Sequence, residues 1–160
     1  MSEFETTTRK LLSLIQEWEP KLSSLADDVV KDRRNSQNRN IKQITGHMID
    51  SASNNTHRIV HLQYQKSPLQ YPNYATHGNN DRWIAIQNYQ DENWNYLVQL
   101  WKFSNLHIVH VINNVDSTKL KNEWQCDGNK FISLRDMIVD YLRHFKLHLK
   151  EIDELISLHT

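Results

Sequence analysis

DYLRHFKLHLKEIDEL, residues 140 to 155, decides the fold class. Tyr141, Phe145, Leu149, Ile152 and Leu155 recur at spacings of three and four, the period of a helix with one buried face, and no glycine or proline interrupts them. Leu134, Met137 and Ile138 carry the same stripe back to Ser133, which makes an N-cap signature with Asp136 three residues on. The pattern runs forward to about Leu158.

The rest of the chain repeats this kind of segment. A first helix is expected over about Glu3 to Asp32, built on Leu11, Leu12, Ile15, Trp18, Leu22, Leu25 and Val29, with Pro20 kinking or interrupting it. The polar run DRRNSQNRN, residues 32 to 40, reads as a connection. Asn40 and Gln43 then form a capping-box pair that opens a second helix reaching about Gln65. KSPLQYPNYATHGNN, residues 66 to 80, is too long for a simple turn and fits a loop packed over a site. A third helix is expected from about Asp81 to Asn113, with a break near Ser104 and Asn105. Residues 115 to 133 read as a short hairpin or irregular excursion around Asp127 and Gly128. Four long amphipathic helices without repeat or linker give an all-α, four-helix bundle, with residues 1–160 as a single domain.

Composition narrows the functional classes. Nineteen basic and nineteen acidic residues cancel, and no basic run exceeds Arg33-Arg34, so nucleic acid and anionic membrane surfaces are poor partners. Acids at Glu3 and Glu5 stand where a signal peptide would be basic, and no apolar run approaches the ~18 residues of a membrane span. A cytoplasmic location is expected. Cys126 is the only cysteine, so any metal would be held by nitrogen and oxygen.

The chain has nine histidines, and position must sort them. His144 and His148 sit at the edge of the apolar stripe, about 40° apart around the helix and ~6 Å apart along it, so both rings can reach one point. That spacing suits a shared metal ion. It is also a common coincidence, since His57 and His61 have it too. A third ligand is required, and His47 is the best candidate. It heads a polar line of Ser51, Asn54 and Arg58, at offsets of four, seven and eleven, beside Ile44, Met48, Ile59 and Leu62. Such a line is either a solvated outer face or the lining of a polar cavity, and periodicity leaves both open. His61 lies ~21 Å further along the helix than His47, so His57 and His61 read as surface or interface residues. His107 and His110 fall near the end of the third helix, His159 falls in the terminus, and His77 has a role only as a lid residue.

These positions also fit a known pattern. NIKQITGHMIDSASNNTHR, residues 40 to 58, resembles the second-helix signature of the DinB-like superfamily and its YfiT-like metal-dependent members. That signature has a Trp-Ser-x-x-Glu start, a Gly-His-Leu-x-Asp-Ser centre, then an Asn and an Arg. YLRHFKLHLKEI, residues 141 to 152, is similar to the family's closing helix with its His-x-x-x-His. YPNY at 71 to 74, Trp83 and QNYQ at 87 to 90 look like its loop and third-helix opening, so the resemblance covers nearly the whole chain. Arg39 stands where the family has Trp, which bears on local packing, and Asn40 with Gln43 replaces the Ser and Glu of the cap. An Asn caps as well as a Ser.

The resemblance implies an up-down-down-up bundle, often a homodimer, holding one divalent ion such as nickel or zinc near one end. Carried over residue by residue, the metal triad falls on His47, His144 and His148. Three neutral imidazoles leave a divalent ion an open position, where a water can acquire a pKa of ~7 or a thiol can be held as thiolate. Relatives include metal-dependent hydrolases and thiol S-transferases, the latter using a low-molecular-weight thiol as co-substrate, and a small-molecule substrate is expected in either case. Asp50 is placed to orient a ligand ring or act as a base, and Asn54, Arg58 and Tyr141 to bind substrate. Each has a bland counterpart: Asp50 as a surface carboxylate, Arg58 as a bundle-spanning ion pair. The alternative for the whole chain is a metal-binding or interaction bundle without turnover.

Overall fold

Asn40 starts the central helix as its sequence implies. In the structure, a computed structural model that describes residues 3–158, the Asn40 side chain accepts from the Gln43 amide at 2.9 Å and the Gln43 side chain accepts from the Asn40 amide at 3.0 Å. Two donors that the first helical turn leaves without partners are thereby satisfied. The helix that follows, α3 (Ile41–Tyr64), buries His47, Asp50, Ser51, Asn54 and Arg58 along with its apolar face, so the polar line does not look out to solvent.

The first helix is two helices, α1 (Glu5–Ser23) and α2 (Asp27–Asp32). Pro20 lies inside α1 without ending it, because its carbonyl still accepts from the Ser24 amide at 3.1 Å; the break follows at residues 24–26. The expected third helix is divided as well, into α4 (Asn79–Gln87) and α5 (Trp94–Asn113). The division falls at residues 88–93, not at Ser104 and Asn105. Asn88 ends α4 in the left-handed conformation, a single 3₁₀ turn covers Tyr89–Asp91, and Asn93 caps α5 by accepting from the Tyr96 amide at 3.1 Å. Asn105 stays inside α5, where its amide donates to the Trp101 carbonyl at 2.7 Å and its oxygen accepts from the Tyr141 hydroxyl at 2.6 Å.

The last helix, α6 (Leu134–Ser157), is capped by Ser133, which accepts from the Asp136 amide at 3.1 Å. The expectation for His159 lies outside the described residues. Cross-links fix the direction of each long helix. Trp94, at the start of α5, donates to the Leu22 carbonyl at the end of α1, so these two run antiparallel. Lys42 reaches the Glu92 carbonyl at one end and Gln63 accepts from the Asp116 amide at the other, so α3 and α5 run together. Glu3 pairs with Arg135 and Lys21 with Asp153, so α1 and α6 also run together. The order is up-down-down-up, with Leu11, Ile15, Ile44, Met48, Leu97, Trp101, Phe145 and Ile152 in the core between the helices. No described helix is long and apolar enough to cross a membrane.

Before α6 the chain forms a hairpin, β1 (Glu123–Asp127) and β2 (Lys130–Ser133), with Trp124 opposite Ile132 and Gly128 at φ 46° in the turn. The long loop after α3 joins this hairpin. Leu69 donates to the Glu123 carbonyl at 2.7 Å and accepts from the Gln125 amide at 3.1 Å, while Trp124 Nε1 donates to the Tyr71 carbonyl at 2.9 Å.

Candidate metal centre

The antiparallel pairing of α3 with α6 sets His47 opposite His144 and His148. His47 Nε2 lies 3.4 Å from His144 Nε2, which lies 3.0 Å from His148 Nε2. One ring nitrogen from each residue falls within 4.8 Å of the others, the single group of this kind among the described residues. Metal–nitrogen bonds of about 2.0–2.1 Å place cis nitrogens roughly 3.0 Å apart at right angles and roughly 3.4 Å apart in a tetrahedron. The His47–His144 and His144–His148 separations therefore fit ligands of one ion, and His47 and His148 come within 4.8 Å of each other.

The chemistry of the rings agrees with their spacing. His47 and His148 are 3% and 5% exposed, and His144 is half-buried. Burial first, and then the neighbouring imidazoles, pushes His47 down to about 2, and burial together with His148 takes His144 down to about 4. Both rings are thus neutral at ordinary pH, as ligation requires. Glu151 accepts at 2.8 Å from His148 Nδ1, which leaves the lone pair of His148 Nε2 facing the other two rings. Ser51 Oγ stands 3.4 Å from His144 Nδ1. His47 Nδ1 is buried without a hydrogen-bond partner.

Glu151 is the member that sequence reading missed. Its signal was present as His148-x-x-Glu151, a spacing that puts both side chains on one helix face.

Asp50 and Asn54 face elsewhere. Asp50 Oδ1 accepts from the Tyr89 hydroxyl at 2.7 Å and from Gln87 Nε2 at 2.8 Å, while Oδ2 is buried without a partner. Burial holds this carboxyl above its ordinary range, and the two hydrogen bonds oppose the rise. Asn54 Nδ2 donates to the Asp50 carbonyl at 2.9 Å.

A cavity of about 500 Å³ is lined by His144, Ser51, Tyr74, Tyr141, Trp124 and Arg58 among others. Neither Asp50 nor Asn54 lines it. Tyr141 contributes its ring, since its hydroxyl is committed to Asn105. The loop after α3 supplies Asn73, Tyr74, Ala75 and Thr76 to the wall, but His77 turns outward, with Nε2 3.4 Å from Asp127. Cys126 also lines the cavity, its thiol 3.4 Å from the Lys130 carbonyl.

The remaining histidines are apart from this centre. His61 Nδ1 meets the Tyr64 hydroxyl and the Gln65 amide, each at 2.7 Å, and the His57 ring lies 6.4 Å from the His61 ring. His107 and His110 are exposed on α5. Arg39 is buried and donates through Nε and Nη2 to Asp81, tying the connection before α3 to α4.

No protein-family model matches the chain, and no curated protein matches it. Among solved structures it is similar to YfiT from Bacillus subtilis, a probable metal-dependent hydrolase with an unusual four-helix bundle topology. The TM-score is 0.76 at 16% identity, over 94% of this chain and 86% of that one. At this identity the likeness is one of fold, and it agrees with the helix order derived from the cross-links above.

Proposed function

We propose that this chain is a metal-dependent hydrolase of a small molecule, with one divalent ion, nickel or zinc, held by His47, His144 and His148. The observation that carries the proposal is the meeting of three ring nitrogens from two helices beside a cavity that His144 lines. An all-imidazole donor set suits borderline ions such as these. When bound, the ion would supply Lewis acidity and a water made nucleophilic near neutral pH.

The chain's own residues have definable roles in this reading. Glu151 fixes the tautomer of His148, and Ser51 steadies His144 on the side that borders the cavity. Tyr74 and Tyr141 give the substrate aromatic walls and limit the entry of bulk water. Asp50 holds the turn at residues 87–89 against α3 and acts as a positioning residue, and Asn54 braces its own helix.

Metal analysis of untagged protein tests the centre. Stoichiometric divalent metal is expected in the wild type and in His57→Ala and His61→Ala, with loss in His47→Ala, His144→Ala and His148→Ala. Full metal retention in the triple alanine variant would overturn the assignment. Turnover of esters or amides by the loaded protein supports hydrolysis. Turnover of electrophiles only with an added low-molecular-weight thiol would reassign the reaction to thiol transfer, and full loading without any turnover would leave a metal-binding bundle.

A further inference from the structure

Arg58 is a buried cation without an anion. It is 5% exposed, and among the described residues it has neither a hydrogen-bond nor an ion-pair partner. Its guanidinium carbon lies 4.1 Å from the Trp124 ring centre and 5.7 Å from that of Tyr74, and its Nε is fully buried with no acceptor. Burial pushes it down to about 10, so it is still ionised at neutral pH. A desolvated charge of this kind is costly unless something compensates it, and the ring contacts return only about 0.5–2 kcal/mol.

The carboxylates nearby are not its counterions. Asp127, Asp136 and Asp140 stand at the cavity rim, where they are half-buried or exposed. Asp127 faces His77, Asp136 is engaged by the Ser133 hydroxyl at 2.7 Å, and Asp140 pairs with Arg143. Arg58 itself lines the cavity.

We infer that Arg58, held against Trp124, is the receptor for a carboxylate on the substrate, in the part of the cavity remote from His144. The inference rests on the metal-centre reading for what happens at the near end, but not for the anion site. A planar guanidinium presents paired donors that match a carboxylate. With Asp127, Asp136 and Asp140 against Lys130, the charged lining favours a singly charged carboxylate over a doubly charged phosphate. The helix also supplies a ruler. Ser51, beside His144, and Arg58 are seven residues apart on α3, a separation of roughly 10 Å along the axis. The carboxylate is therefore remote from the bond that reacts, and its binding energy orients the substrate.

The test is a titration of ¹⁵N-labelled, metal-free protein with benzoate at constant ionic strength, with inorganic phosphate and chloride as parallel titrants. Saturable shifts of the Arg58 Nε and Trp124 Nε1 resonances are expected with benzoate, weakened at least tenfold in Arg58→Met. Arg58→Lys, which keeps the charge and loses the fork, is expected to weaken binding as well and serves should the methionine variant fail to fold. No saturable shift, or equal benzoate affinity in the folded variants, overturns the anion site. Tighter binding of phosphate than of benzoate overturns the carboxylate. Because metal is absent, failure of the three-histidine assignment leaves this result unchanged, and failure here leaves the metal analysis unchanged.

Discussion

Glu151 decides which nitrogen of His148 faces the other two rings, because its carboxylate accepts a hydrogen bond from the Nδ1–H. Outer partners of this sort tune ligand basicity and orientation, and their loss typically lowers metal affinity about 10–100-fold. Glu151→Ala is expected to fall in that range, measured by competition with a chromophoric chelator, with metal stoichiometry retained at saturation. At this scale the sequence was informative where spacing alone sufficed. Spacing brings His144 and His148 to one point, but it does so for His57 and His61 too, and His47 was set beside the pair as a candidate that the family resemblance singled out. The line of Ser51, Asn54 and Arg58 was readable as a line, but its division was not. Asn54 folds back on its own helix while Arg58 reaches the cavity, and that choice depends on Trp124, sixty-six residues further along the chain.

The α3 helix owes its seating to Gly46 as much as to its cap. A Cβ added there would fall 2.2–2.6 Å from atoms of the Tyr89 ring, which cannot swing away without breaking its hydrogen bonds to Asp50 and Gln87. Replacing a mid-helix glycine by alanine ordinarily gains about 1 kcal/mol of helix propensity, whereas overpacking a fixed neighbour costs about 1–3 kcal/mol. Gly46→Ala is expected to destabilise by up to about 2 kcal/mol net, read from the urea midpoint. The ends of α3 and α6 were legible because Asn40, Gln43, Ser133 and Asp136 carry local cap chemistry. The division between α4 and α5 was not, since Trp83, Ile86, Gln90, Trp94 and Leu97 keep helical spacing across it. Only Asn88 in its left-handed conformation and Asn93 as a cap mark it, and asparagine occurs too often in this chain to stand out.

For the molecule as a whole, His47 and His144 couple stability to pH. In the metal-free protein they ionise near 2 and 4, against ~6.5 in an unfolded chain, so below that value the unfolded state binds more protons. Their contribution is complete above about pH 6.5 and is lost progressively as pH falls toward 4 and below. The metal-free Tm is expected to decline over that interval, with a shallower slope in His47→Phe. Metal added at one hundred times its dissociation constant is expected to raise stability by about 2.7 kcal/mol at neutral pH, and less in acid. The four-helix bundle was legible in its long amphipathic stripes, and the up-down-down-up order only through the family resemblance. The outline of the cavity was not, because part of its wall comes from two connections that share no sequence period. These connections, near Leu69 and near Trp124, are stitched together through backbone bonds at 2.7 and 3.1 Å and through the Trp124 indole. Segments that irregular usually surrender their amide protons to solvent quickly. Here the amides of Leu69 and Gln125 should exchange slowly and in step, as one cooperative unit distinct from the helices. A mutation in the hairpin, Trp124→Ala, should then release the amide of Leu69, fifty-five residues earlier in the chain, while those of α3 keep their protection.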